Sequence, residues 1–152
     1  MTGSAFRFRL ERVRAVRERK EKLAQQELAN ALSRRTSSEA ELRTADATLE
    51  HARQQQRTAL AERDPVSATD LLGRQAFLER VEAQRRLRVN DLQQRDAEVA
   101  ERDAQLASAA SDHEMLNRLR ERHRGEHALE AARREQGDLD EIAASRFRGS
   151  RA

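Results

Sequence analysis

The chain has 152 residues, 38% of them charged, 37% hydrophobic and only 3% aromatic, with a formal net charge of +3. One Pro and five Gly leave almost nothing to punctuate the backbone, which excludes many short strands joined by turns. Cysteine is absent, so there is neither a disulfide framework nor a thiolate metal site, and apolar side chains this sparse line a stripe rather than fill a globular core.

In chain order, the opening residues lack the apolar stretch of a signal peptide. No apolar run approaches the roughly 20 residues needed to cross a bilayer. The sequence therefore predicts a cytoplasmic protein. A first helix is expected over 6–63. Its start carries the basic run Arg7, Arg9, Arg12, Arg14, Arg17, Arg19, Lys20 and Lys22. Residues 1–35 hold a net +6, residues 36–111 a net −3, and residues 112–152 are balanced, so only the first segment suggests an anionic partner. Glu11, Glu18 and Glu21 interleave with the basic groups, and bases would find no stacking platform beyond Phe6 and Phe8, so no nucleic acid is expected. Phe8, Leu10, Val13, Val16 and Leu23 read as the start of an apolar seam. Further on, alternating steps of three and four link Leu28, Ala31, Arg35, Ser38, Leu42, Ala45, Leu49, Ala52, Gln56 and Ala59.

The strong break is Asp64-Pro65, because Pro removes a backbone donor and pushes the preceding residue out of the α region. A turn is expected over 64–68, with Ser67 or Thr69 capping a second helix over 69–145 and Asp70 at its positive end. On that helix Leu71, Leu78, Arg85, Leu92, Val99, Leu106 and His113 recur every seven residues. Arg74, Val81, Arg88, Arg95, Arg102, Ala109 and Leu116 form the companion row. Arginines on a seam must reach outward along their methylenes.

A short link between two amphipathic helices favours doubling back. The expected fold is all-α: a long antiparallel two-helix coiled coil, monomeric when free, forming one unit over 1–152. Leu60 then lies near Leu71, Leu42 near Asn90 and Leu10 near Arg122. The second helix overshoots, leaving Leu129, Leu139, Ile142 and Phe147 as an overhang for an external surface. Gly125 and Gly137 make that overhang adaptable, and residues 146–152 read as a disordered basic tail. The alternative is a parallel structural dimer kinked at Pro65; a further one is a nucleic-acid accessory protein.

His123, Glu126 and His127 fit H-x-x-E-H, the inverted zinc-protease pattern. A hydrolase also needs a third ligand and a walled pocket, which a two-helix rod does not supply. The two imidazoles are read as solvated, with no metal, cofactor or catalytic residue expected. His113 falls on the seam, where a polar residue sets register. Carboxylates pair with Arg at helical spacing, as in Glu11/Arg14 and Glu79/Arg86. Phe77, on the flank of Leu78 and Val81, either plugs the hairpin end or anchors a partner.

Three stretches carry a resemblance: Phe6 to Glu18, Ser67 to Val81, and Arg133 to Ala143. Together they resemble the flagellar export protein FliJ family over nearly the full length. The most distinctive part is Glu135-Gln136 followed by Leu139-Asp140-Glu141-Ile142-Ala143. Gly137 stands where the family tends to have a better helix former. The resemblance implies a non-enzymatic component of the flagellar type III export machine, peripheral to the cytoplasmic face of the inner membrane. It implies association with the hexameric flagellar export ATPase and a membrane export gate protein, and with export chaperones. With the overhang it places ATPase docking at Arg7, Leu10, Arg14, Leu129, Leu139 and Ile142, and gate docking at Phe77, Leu78 and Val81.

Overall fold

The computed structural model describes residues 5–61 and 66–149. They form two helices, α1 (Glu11–Ala61) and α2 (Ala68–Gly149), folded back antiparallel, with no strand among the described residues. Contacts gather into two compact units, a terminal one of Met1–Lys22 with Ala107–Ala152 and a central one of Leu23–Leu106.

α1 starts at Glu11 rather than at residue 6. The Glu11 N–H donates to the Phe8 carbonyl at 3.2 Å and the Arg14 N–H to the Leu10 carbonyl at 2.9 Å, so helical bonding begins at Leu10. Before it, Phe6 and Phe8 are covered while Arg7 and Arg9 are exposed, a period of two that a helix would not give. At the start of α2, Ser67 is the cap. Its hydroxyl accepts the Thr69 N–H at 3.2 Å, and its carbonyl accepts the Leu71 N–H at 3.1 Å. Asp70 lies in the first turn. Asp64-Pro65 and the first part of the expected turn lie outside the described residues. α2 also outruns its expected end: residues 146–149, read as disordered tail, are helical. Arg146 and Arg148 sit in the last turn, where cations offset the unpaired carbonyls. Residues 150–152 lie outside the described residues.

In the central unit the seam follows the heptad grid. None of its ten α1 positions from Leu28 to Ala59 is exposed, and Ala31 has 0% exposure. Leu49, Ala52, Leu78 and Val81 form its core cluster. Small Ala side chains let the backbones approach closely, which is why a seam this poor in large residues still closes. On α2 the grid engages from Leu78, since Leu71 and Arg74 are exposed. Leu42 lies opposite Asn90 as the fold-back predicts: Arg88 pairs with Glu41 at 2.5 Å, and Ser38 donates to Asp91 at 2.6 Å. Seam arginines reach carboxylates across the helices, Arg102 to Glu27 at 2.8 Å and Arg85 to Asp46 at 2.5 Å. Glu79 and Arg86 do not pair, because Glu79 accepts from Gln75 one turn earlier at 3.0 Å.

The first turns of α1, up to Ala24, depart from the expected seam. Val13, Val16 and Leu23 are exposed. Continuing the α1 grid backward from Leu28 gives Ala24, Glu21, Arg17, Arg14 and Leu10, and these are the covered positions. The inner face here is therefore polar. Arg17 pairs with Asp112 at 2.8 Å, His113 Nδ1 lies 2.6 Å from Glu21, and His113 Nε2 lies 3.2 Å from the Asn117 amide. The seam position of His113 is thus used for a polar lock between the helices.

Candidate docking surfaces

In the terminal unit, residues ahead of α1 lie against α2 through two ring pairs. Phe6 meets His127 with centroids 5.7 Å apart, and Phe8 meets His123 at 5.9 Å in an edge contact. His123 and His127, four apart, share one helical face, and the alternation of Phe6 and Phe8 presents both phenyl rings to it. The H-x-x-E-H pattern thus holds the chain's first aromatic pair. No group of three or more His, Asp or Glu is placed to hold a metal ion among the described residues. Sequence reasoning missed these contacts. The Phe-Arg-Phe-Arg alternation, set opposite residue 123 by the hairpin register, was the signal.

A groove of about 730 Å³ follows this segment, lined by Phe6, Arg7, Phe8, Arg9, Arg12 and Arg120, with Glu11. Its one carboxylate is engaged. Glu11 accepts from Arg14 at 2.6 Å and lies 3.8 Å from Arg120. The Arg14 hydrogen bond holds the Glu11 carboxyl below its usual range and raises Arg14 in turn. Glu18 is lowered likewise, first by its hydrogen bond from Lys22.

Of the residues expected to dock an ATPase, Arg7 is exposed and without an ion pair among the described residues. Leu10 is half-buried. Arg14 is half-buried too, bound to Glu11 and Glu18 and donating to Asn117 at 3.4 Å, so its guanidinium ties the two helices together. On α2 every residue from Ala128 to Arg148 is exposed, including Leu129 at 62%, Leu139 at 56% and Ile142 at 49%. Leu129, Ala132, Gln136, Leu139 and Ala143 follow steps of three and four, so they form one stripe along the helix.

Of the residues expected to face an export gate, Leu78 and Val81 belong to the core of the central unit. Phe77 alone is displayed, 43% exposed, on the rim of a groove of about 720 Å³ that includes His51, Gln55, Thr58, Gly73 and Arg74. Leu72, also exposed, lies on the same stretch of α2. Among the described residues no helix is long and apolar enough to cross a membrane.

The family model described as flagellar FliJ protein matches residues 6–152. No curated protein and no solved structure matches the chain.

Proposed function

The chain belongs to the FliJ family and is a flagellar export-related protein, and on that premise we propose that it docks on the hexameric export ATPase and links it to the membrane export gate. The role is non-catalytic: the chain supplies surfaces, and the ATPase supplies the chemistry. The observation that carries this reading is the exposed helix beyond Ala128, with Leu129, Leu139 and Ile142 on view at the unit that also holds Arg7, exposed and without an ion pair among the described residues. Apolar residues at helical spacing on a displayed helix are the ordinary means of seating against a partner's groove. In the central unit Phe77 is the gate contact, supported by Leu72, while Leu78 and Val81 hold that stretch of α2 in place. The protein works at the cytoplasmic face of the inner membrane, and export chaperones share its exposed surfaces.

Deleting residues 128–152 tests the reading. The truncated chain is expected to keep the helicity of its remaining residues but to lose stimulation of the cognate ATPase. Full stimulation after truncation would refute the docking role. Phe77→Ala is expected to weaken binding to the gate protein at unchanged helicity, and unchanged affinity returns Phe77 to a purely structural part.

A further inference from the structure

Val13 and Val16 are 44% and 53% exposed, and the residues around them on α1 are of one sign. At 100° per residue, Arg12, Val13, Val16, Arg19 and Lys20 fall on one outward stripe, with Arg9 a turn ahead. All are exposed, and none of the four basic groups forms an ion pair or hydrogen bond among the described residues. The acids of this segment point elsewhere. Glu11 serves Arg14 and Arg120, Glu18 serves Lys22 and Arg14, and Glu21 serves His113. The stripe therefore holds four cations and two valines with no carboxylate among them.

We propose that this outward face of α1, Arg12, Val13, Val16, Arg19 and Lys20, with Arg9 just ahead of the helix, seats an acidic amphipathic helix of a partner protein. Charge complementarity fixes the sign of the occupant, since unpaired arginines are satisfied best by carboxylates in a fork geometry. The shape follows from the stripe being straight: a helix with Glu or Asp at i, i+4 and i+7 and small apolar residues between them matches its repeat. A lipid surface fits less well. Valine is shorter than the arginines beside it, and the aromatics that could enter a bilayer, Phe6 and Phe8, lie against His127 and His123. That the helix belongs to the export ATPase rests on the function proposed above; its charge and form do not.

The test uses the full chain and a labelled synthetic helix of three heptads carrying Glu at i, i+4 and i+7 with Leu and Ala between, read by fluorescence anisotropy. The natural chain is expected to bind it, less tightly as salt rises. Arg12→Glu with Arg19→Glu should weaken binding by about tenfold or more, and a peptide with Lys for Glu should recover it. Arg80→Glu with Arg86→Glu, the same charge change on exposed unpaired residues of the central unit, should leave affinity within about twofold. Circular dichroism confirms that both variants remain helical. The proposal is overturned if both variants weaken binding equally, if a scrambled peptide of the same composition binds as well, or if phosphatidylglycerol vesicles bind the chain while the peptide does not. If the peptide behaves as expected and the purified ATPase ignores the chain, the ATPase reading falls and the face stands.

Discussion

The two units are built from the same pair of helices but handle charge in opposite ways. Of the twelve Arg of the central unit among the described residues, nine are ion-paired, six of them across the helices, as with Arg34 and Glu98 or Arg53 and Glu82 at 3.0 Å. In the terminal unit Glu11, Glu18 and Glu21 of α1 are engaged by Arg14, Lys22 and His113, while Arg7, Arg9, Arg12, Arg19 and Lys20 have no ion pair among the described residues. Its apolar residues follow the same division: Leu49, Leu78 and Val81 are buried centrally, whereas Val13, Val16, Leu129 and Leu139 are displayed. Most central arginines therefore find a carboxylate within the chain, whereas the start of α1 displays cations beside exposed valines with none among the described residues.

The sharpest way to break that contrast is by truncating apolar side chains in each unit. Leu78→Ala removes a core residue and is expected to cost about 2–5 kcal/mol, read as a lower midpoint in chemical unfolding followed by circular dichroism. Val16→Ala should stay within about 0.5 kcal/mol, because an exposed side chain loses no packing. Equal effects would mean that the displayed face is part of the core. Next in size, Arg95→Leu should stabilise the central unit by about 1 kcal/mol, since the Arg95 Nε is buried without a hydrogen-bond partner among the described residues. Its failure to stabilise in thermal unfolding would mean that the guanidinium is satisfied in solution.

A change of similar size is expected at Gly137. An added Cβ would meet no atom within 4 Å, so Gly137→Ala should raise helix stability by about 1 kcal/mol and increase ellipticity. On the docking proposed above, an overhang that must bend to seat predicts less ATPase stimulation by that variant, and one that seats as a straight helix predicts more. The smallest effect is that of pH. The carboxyls of Glu11, Glu18 and Glu98 are held low by hydrogen bonds from Arg14, Lys22 and Arg34. A depressed carboxyl adds stability above its unfolded value, about 4.3 for Glu, and loses it as pH falls through the folded value. The melting temperature should therefore be flat near neutrality and decline below about pH 4. Glu98→Gln should flatten the decline for the central unit, and Glu11→Gln for the terminal one.

The hairpin was legible because its signals are long and redundant. Ten positions from Leu28 to Ala59 repeat one spacing, and the register they imply is met by Arg88 with Glu41. The terminal unit was misread where a few apolar residues outweighed the grid. Hydrophobicity alone points Val13 and Val16 inward, whereas counting back from Leu28 puts Arg14 and Arg17 there. Partner geometry decided the case: Asp112 and Asn117 on α2 give those arginines acceptors, so the polar face is the inner one. The spacing did separate Phe77 from its neighbours: Leu78 and Val81 fall on the seam and are buried, and Phe77 on their flank is exposed.

The alternation at the front of the chain also makes it sensitive to reading frame. Phe6 and Phe8 reach the two imidazoles only because one residue separates them. A single alanine inserted after Phe6 would shift Phe6 by one position, turning it to the solvent and leaving only the alanine methyl facing His127. A length change of one, with composition almost untouched, would thus do more damage at this spot than many substitutions, and deletions or fusions near it ought to be made in steps of two.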